Sequence, residues 1–274
     1  MELDCTVYDP TKNITLLVST PVPRAQQSAV AAELIRLRPE VEQVGFLEKP
    51  ASPDARLHLQ MMGGEFCGNA SMAAAAYLSD QEQLQPGQST IYRLEVSGAD
   101  DLVTCRLERR IHRCRVNVSM PLPERIGTVQ LPLRGRFFSV PAVWFPGIVH
   151  CIVPDHFLTR GQAEEAIRPL CASLGAQACG ILLFSEATTT FTPLVYVAST
   201  DTAVWESGCG SGTAALGAYL ALRRGADSST PLHQPGGLIT AAAEVCNKRI
   251  TGLVIIGKVR RLDAFRVCVN ERAL

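Results

Sequence analysis

A repeated segment that begins at a cysteine constrains the fold more than any other feature of this chain. The sequences CGNASMAAAAYL (Cys67–Leu78) and CGSGTAALGAYL (Cys209–Leu220) match at six of twelve positions and lie about half the chain apart. Both are apolar on nearly every side and rich in small residues, which is typical of buried helices. The repeat predicts two similar halves, each with one buried helix that starts at a cysteine.

Short runs with strand character make up most of the remaining chain, and hydrophobic residues, 47% of the total, are ample for a core. One amphipathic helix is predicted at Ala25–Leu37, between two prolines. The expected class is α+β, with strands wrapping one buried helix in each half. The strand-like runs are Thr6–Tyr8, Ile14–Ser19, Leu57–Met61, Ile91–Val96, Leu102–Leu107, Arg115–Val118, Ile181–Phe184, Leu194–Ala198 and Leu253–Ile256.

A proline-rich stretch at residues 121–132 is the best candidate for the crossing between the halves. We therefore expect an N-terminal domain at residues 1–125 and a C-terminal domain at residues 126–258. A final strand near Phe265–Val269 is expected to return to the first domain, so that residues 259–274 complete it.

Charge and cysteine usage exclude several classes of function. Lys and Arg balance Asp and Glu at 26 each, so neither nucleic acid nor an anionic membrane is an expected partner. The N-terminus lacks a secretory signal pattern and no apolar run is long enough to span a membrane, which favours a cytoplasmic protein with reduced thiols. No metal site is predicted, since the nearest approach to a ligand pair, His112 with Cys114, is more typical of a structural strand.

A cysteine at a helix start is suited to acid–base chemistry. Free backbone N–H groups and the positive end of the helix dipole stabilise its thiolate. Two such starts facing each other could hold a carboxylate between two thiols, the arrangement needed to invert a stereocentre without a cofactor. The N–H groups expected to bind the α-carboxylate belong to Gly68, Asn69, Gly210 and Ser211.

Three segments resemble the diaminopimelate epimerase superfamily: GGEFCGNASMAAAAYL (63–78), WESGCGSGTAALGAYL (205–220) and HQPGG (233–237). The resemblance implies two facing pseudo-symmetric domains, each with a central helix in a curled mixed sheet, and an active site in the cleft between them. It also implies that Cys67 and Cys209 are the catalytic bases, that no cofactor takes part, and that the substrate is an amino acid. Relatives often pair, so a homodimer is compatible with it.

The resemblance extends nearly end to end. The segments YDPTKNITLLV (8–18) and EQVGFLE (42–48) stand where the family has an Asn-containing turn and a Gln near the site. The resemblance therefore implies that Asn13 and Gln43 help to form the site.

The cysteine segments lack a cation that could bind a second carboxylate of the substrate. Epimerases proper bind a second carboxylate with the Arg of a Glu-Arg-Gly motif, where this chain has Ser199-Thr200-Asp201. No Lys or Arg occurs at residues 57–92 or 169–222. Within the superfamily the motifs EFCGNAS, WESGCGSGTA, EQVGF and HQPGG most resemble the histidine racemases that supply opine metallophore biosynthesis of the staphylopine type, which implies histidine as substrate.

Several polar residues near the cysteines have two interpretations. Glu65 and Glu206 either receive the substrate's ammonium or polar side chain, or cap their helix starts. His58, Gln60 and His150 lie on strands beside the site segments and either line a side-chain pocket or are structural.

Two other functions stay open at this stage. One is a diaminopimelate epimerase or a racemase of another amino acid, favoured by the common scaffold. The other is a non-catalytic thiol protein in which Cys67 and Cys209 form a redox disulfide.

Overall fold

The computed structural model describes residues 1–269. Within them it contains four helices and sixteen strands, and this sheet-rich mixture confirms the predicted α+β class. The helices are α1 (Arg24–Leu37), α2 (Gly68–Gln81), α3 (Arg160–Leu174) and α4 (Gly210–Arg224). The strands are β1 (Glu2–Pro10), β2 (Thr15–Val18), β3 (Gln43–Glu48), β4 (Leu57–Met61), β5 (Ser89–Val96), β6 (Val103–Arg109), β7 (Cys114–Ser119), β8 (Arg125–Leu133), β9 (Arg136–Phe145), β10 (Ile148–Pro154), β11 (Ala178–Ser185), β12 (Thr190–Val197), β13 (Thr202–Trp205), β14 (Ser228–Gln234), β15 (Gly237–Cys246) and β16 (Arg249–Cys268).

The two repeated segments form helices α2 and α4, and both begin at the residue after the cysteine, as predicted. Ten of the fifteen residues of α4 are buried, and only the last turn carries charge, at Arg223 and Arg224. The helix ends at Gly225, which takes the left-handed conformation with φ 70° that glycine adopts without strain. Both helices are therefore core elements rather than surface helices.

The chain forms two compact units. The first comprises Met1–Ser119 and the segment that starts at Ile256, and the second comprises Met120–Ile255. The boundaries fall at Ser119 and Ile255, whereas the sequence pointed to residues 125 and 258. None of the helices within residues 1–269 is long and apolar enough to cross a membrane.

In the first unit, strands β1 to β7 follow one another in chain order, and β16 hydrogen-bonds to both β7 and β1. Two parallel pairs, β2–β3 and β4–β5, are each joined by a helix, α1 and α2 respectively. Helix α2 packs against strands on several sides, among them β1, β6 and β7. The curled sheet thus wraps the helix that carries Cys67.

In the second unit the strand order is β15-β14-β12-β11-β10-β9-β8, with β13 added beside β12. The parallel pairs are β10–β11, joined by α3, and β12–β14, whose connection contains α4. Helix α4 packs against β10, β14 and β15. The same pattern of two helix-containing parallel crossovers therefore occurs in both units, which extends the repeat from the cysteine segments to the whole topology.

Helix α3 was not predicted from the sequence. It starts with a capping box between Thr159 and Gln162 and ends at Gly175 in the left-handed conformation. Pro169 lies inside it. Its buried face, Ala163, Ile167 and neighbouring residues, packs on the outer side of the second unit's sheet against a core of β8 to β12 residues.

Candidate active site

The sulfur atoms of both repeat cysteines cap their helices. Cys67 and Cys209 are the N-cap residues of α2 and α4, and both have extended backbone conformations. The Ala70 N–H donates to Cys67 Sγ at 3.4 Å, and the Gly212 N–H donates to Cys209 Sγ at 3.3 Å. Each sulfur thus takes the place that a Ser or Asp oxygen usually has at a helix start. A donated N–H and the helix dipole both favour the thiolate.

In the first unit, a buried amide network orients the Cys67 thiol. The thiol donates to Gln43 Oε1 at 3.0 Å. The Gln43 Nε2 group donates to Asn13 Oδ1 and to Thr15 Oγ1, the latter at 2.8 Å. Because Nε2 must face these two acceptors, Oε1 must face the sulfur. Asn13 is fixed in turn by donating its Nδ2 to Glu42 at 2.9 Å.

In the second unit, Gln234 holds the backbone of the cysteine. Its Oε1 accepts from the Cys209 N–H at 2.6 Å, and its Nε2 donates to Thr213 Oγ1 at 2.9 Å. The Thr213 hydroxyl donates to the Cys209 carbonyl at 2.6 Å. Gln234 belongs to the HQPGG motif, so this motif has the structural task of fixing the start of α4.

The Cys209 thiol is protonated and paired with a carboxylate. Burial raises its pKa well above the usual value for cysteine, and the charge of Glu206, with a hydrogen bond between the two side chains, raises it further. Hydrogen bonds from Ser211 and from the Gly212 N–H act in the opposite direction. A side chain at Gly212 would press against Cys209 Sγ, so glycine preserves this contact.

A buried histidine lies behind the same helix start. His150 Nε2 is 2.9 Å from Ser211 Oγ, which is 3.6 Å from Cys209 Sγ. Its other ring nitrogen is buried with no hydrogen-bond partner in the described part of the chain. Burial lowers the pKa of His150 to about 3, so the ring is neutral.

The residues predicted to bind the α-carboxylate occupy the first turns of the two helices. Gly68 and Asn69 are buried in the first turn of α2, and Gly210 and Ser211 form that of α4. First-turn N–H groups have no acceptor within their own helix. Their donors are therefore suited to an anion.

The two glutamates of the repeated segments differ in their surroundings. Glu206 is half-buried and bonds to Cys209, whereas Glu65 is exposed and its carboxylate folds over Gly63. The N-cap of each helix is the cysteine rather than the glutamate.

Gln60 lies in a different polar cluster. Its Oε1 is 3.3 Å from His58 Nε2, and its Nε2 donates to the Met61 carbonyl. His58 pairs in turn with Glu95 at 3.2 Å. Within residues 1–269, Gln60 hydrogen-bonds with none of the residues of the Cys67 network.

Gln234, Thr213 and Glu42 were not predicted as site residues, and His150 had two possible interpretations. The HQPGG motif was a signal for Gln234. For His150, a signal was the glycine at position 180 of the next strand, but it could be used only once the register was known. Among residues 1–269, no group of three or more His, Cys, Asp or Glu side chains is arranged to hold a metal ion, and all ten cysteines are free thiols.

Comparison with solved structures identifies the fold. The chain is similar to a hydroxyproline epimerase from Agrobacterium vitis, with a TM-score of 0.72, 14% identity, and coverage of 98% of this chain and 93% of that one. It is similar to a predicted epimerase from Pseudomonas aeruginosa, with a TM-score of 0.70, 15% identity, and coverage of 98% and 100%. The expected diaminopimelate epimerase-like fold is confirmed.

Comparison with characterised sequences identifies the family. Residues 2–263 match the family described as the histidine racemase CntK N-terminal domain. The chain is 30% identical over 248 residues to the histidine racemase of Staphylococcus aureus, covering 88% of each chain. It is 27% identical over 269 residues to that of Fusobacterium nucleatum, covering 94% of this chain and 97% of the relative. The two cysteine-capped helices described above thus lie within a chain that belongs to the histidine racemase family.

Proposed function

We propose that this protein interconverts L- and D-histidine by a two-base mechanism in which Cys67 and Cys209 work on opposite faces of the substrate's α-carbon. The observation that carries the mechanism is the matched capping of α2 and α4, since each sulfur accepts an N–H from the third helical residue. Family membership carries the choice of histidine. The absence of Lys and Arg from both cysteine segments argues against a second substrate carboxylate.

On the Cys67 side, the neutral amide of Gln43 can accept the thiol hydrogen bond but cannot take up the proton. Its contribution is to fix the direction of the S–H bond. The Ala70 N–H and the dipole of α2 stabilise the thiolate once it forms. Cys67 is also the less buried of the two cysteines. It is therefore suited to lose its proton to solvent before the substrate binds and, as the thiolate, to begin a turnover by removing the α-proton.

On the Cys209 side, the raised pKa keeps the thiol protonated and ready to deliver a proton. The Glu206 carboxylate that bonds to this thiol can take the proton when the reaction runs in reverse, which gives Cys209 its own internal base. His150, held neutral by burial, fixes the hydroxyl of Ser211 beside the sulfur. The Cys209 thiol thus begins a turnover in its protonated form, with a carboxylate beside it.

The substrate's α-carboxylate is assigned to the first-turn N–H groups of Gly68, Asn69, Gly210 and Ser211. Charge moves from the α-carbon onto this carboxylate as the proton leaves, and preorganised N–H donors stabilise that charge. No metal or organic cofactor has a step in this scheme. From the family resemblance we also propose that the protein forms a homodimer and that it supplies D-histidine to opine metallophore synthesis.

The test is turnover of L-histidine by the reduced protein in D₂O, without added pyridoxal phosphate. Enantiomers are separated by chiral chromatography, and α-deuterium is followed by mass. We expect deuterated D-histidine from the wild type and none from Cys67→Ala or Cys209→Ala. Cys246→Ala is the matched control, because Cys246 is exposed at the end of β15 and should leave turnover unchanged.

Each alternative has its own signature in this experiment. Full activity in either cysteine variant would disprove the two-base mechanism. Exchange with another amino acid but not with histidine would support the two-base mechanism and show that histidine is not the substrate. No exchange with any amino acid, before or after reduction, would favour the thiol redox protein.

A further inference from the structure

A cationic cavity lies at the end of α2 that is remote from Cys67. It has a volume of about 100 Å³, and its wall includes Tyr8, Arg109, His112, Arg113 and Arg261. A second cavity of about 360 Å³ shares Arg109, Ile111 and Arg261 with it. All these residues belong to the first unit.

The carboxylate in this region is already fully engaged. Asp80, in the last turn of α2, accepts from Tyr8 Oη at 2.8 Å through Oδ2 and from Arg109 at 2.6 Å through Oδ1. Its charge therefore offsets that of Arg109. Tyr8 is almost completely buried, so its hydroxyl holds the Asp80 carboxylate in a fixed position.

Arg113 and Arg261 have no such compensation. Within residues 1–269 neither guanidinium makes an ion pair or a hydrogen bond to a carboxylate. The neighbouring carboxylates are taken by other arginines, Glu108 by Arg110 and Asp9 by Arg260. Two uncompensated guanidinium groups on one cavity wall repel each other, and an anion between them would relieve that repulsion.

We propose that this cavity binds the dianionic phosphate group of a small molecule through Arg113 and Arg261, with the ring of His112 beside them. Guanidinium groups match the geometry of phosphate oxygens and remain charged at all physiological pH values. The second cavity, lined also by Ser79, Gln83 and Gln85, is open to a polar organic portion of the ligand.

The cavity is separate from the site of racemisation. Helix α2 contains 14 residues, so its last turn lies about 20 Å from Cys67 along the helix. A ligand there cannot touch a substrate held at the start of α2. The inference does not depend on the proposed racemase activity, because binding is measured without turnover.

The test is calorimetric titration of the full-length protein in chloride buffer at constant ionic strength. Inorganic phosphate and glycerol phosphate are the probes, and sodium chloride is the blank. We expect binding to the wild type, an affinity about tenfold or more weaker in Arg113→Gln and in Arg261→Gln, and a raised unfolding temperature in the presence of the probe. Arg115→Gln is the matched control, since Arg115 is an exposed arginine of β7 that lines neither cavity.

Binding of inorganic phosphate would assign the small cavity alone, and binding of glycerol phosphate only would add the larger cavity to the site. Both results support the proposal if the two arginine variants weaken binding and the control does not. The proposal is overturned if millimolar concentrations of both probes produce no binding. It is also overturned if all three variants bind as the wild type does.

Discussion

Gly180 lies directly opposite His150 in the parallel pair of strands β10 and β11, and a side chain at Gly180 would occupy the space that holds the His150 imidazole. The ring is completely buried, and its Nε2 bonds to the hydroxyl that lies beside Cys209. The glycine therefore makes room for a polar group directly behind the helix start.

This relationship predicts a specific coupling between the two positions. Gly180→Ala should lower the free energy of unfolding by about 1–3 kcal/mol through overpacking. The same change made in a His150→Ala background should cost much less, because the conflicting ring is gone. Urea unfolding of the two single variants and the double variant measures the coupling. Equal costs in both backgrounds would show that the ring and the glycine do not compete for space.

Stability should fall in acid because His150 is buried in its neutral form. Its pKa is about 3 in the folded protein, against an ordinary value of 6.5 for a solvated histidine. Between these values the unfolded chain binds a proton that the folded chain does not, so stability rises with pH and is lost as pH falls from 6.5 towards 3. The limiting slope for one group is about 1.4 kcal/mol per pH unit.

The measurement is the difference in unfolding free energy between wild type and His150→Asn across this range. We expect the variant to lose less stability on acidification. Parallel curves for the two proteins would mean that the ring is already protonated or is accessible to water.

Removing the charge of Glu206 should impair turnover while making the Cys209 thiol more acidic. In Glu206→Gln we expect kcat to fall by about 10²–10⁴-fold, because the group that can take the thiol proton is lost. The pKa of Cys209 should fall, since Glu206 contributes to raising it. Peptide-resolved alkylation with iodoacetamide over a pH series reports the second effect. Glu244→Gln, at an exposed residue of β15 outside the site, is the control and should stay close to wild type.

Gln43 and Gln60 provide a second matched pair. Gln43→Leu removes the acceptor of the Cys67 thiol and leaves Asn13 Oδ1 and Thr15 Oγ1 without the donor that they share. We expect a loss of about 1–3 kcal/mol in stability and a large fall in kcat. Gln60→Leu, outside that network, should change kcat/KM only slightly. A larger effect at Gln60 than at Gln43 would indicate that the substrate's side chain binds at the His58 cluster.

The two cysteines should differ in reactivity towards a small alkylating agent. Cys209 is 2% exposed and its pKa is raised, while Cys67 is partly exposed. We expect iodoacetamide to modify Cys67 at least about tenfold faster than Cys209 at neutral pH. The time course of Cys67 modification should match that of the loss of activity. Faster labelling of Cys209 would indicate that its helix start opens in solution.

The parts of the fold that were predictable from the sequence depend on local signals. A Cys-Gly pair followed by a run of small apolar residues marked the starts of α2 and α4 correctly. Helix α3 was missed because Pro169 interrupts its pattern, although the signals at Thr159 and Gly175 were present. The C-terminal end of α2 was also placed too early, since the helix continues past Leu78 to Gln81.

For the site, motifs identified residues but not their partners. Asn13 and Gln43 could be assigned near Cys67, yet the direction of the Gln43 amide depends on Thr15, which only the pairing of β2 with β3 brings next to it. Glu65 and Glu206 lie two and three residues before their cysteines in the sequence, and they differ in burial. Such contacts depend on strand register and packing across sequence separations that no local pattern encodes.

The pairing of β1 with β16 has a consequence for how the chain is made. Residues Glu2–Pro10 pair with residues Val259–Cys268, so β1 finds this partner only after the chain has been synthesised as far as β16. Until then the β1 edge has an unsatisfied backbone and is open to other strands. Closure over such a sequence distance is also slow. The synthesis of β16, rather than the formation of α2, thus determines when the sheet that wraps the Cys67 helix can close.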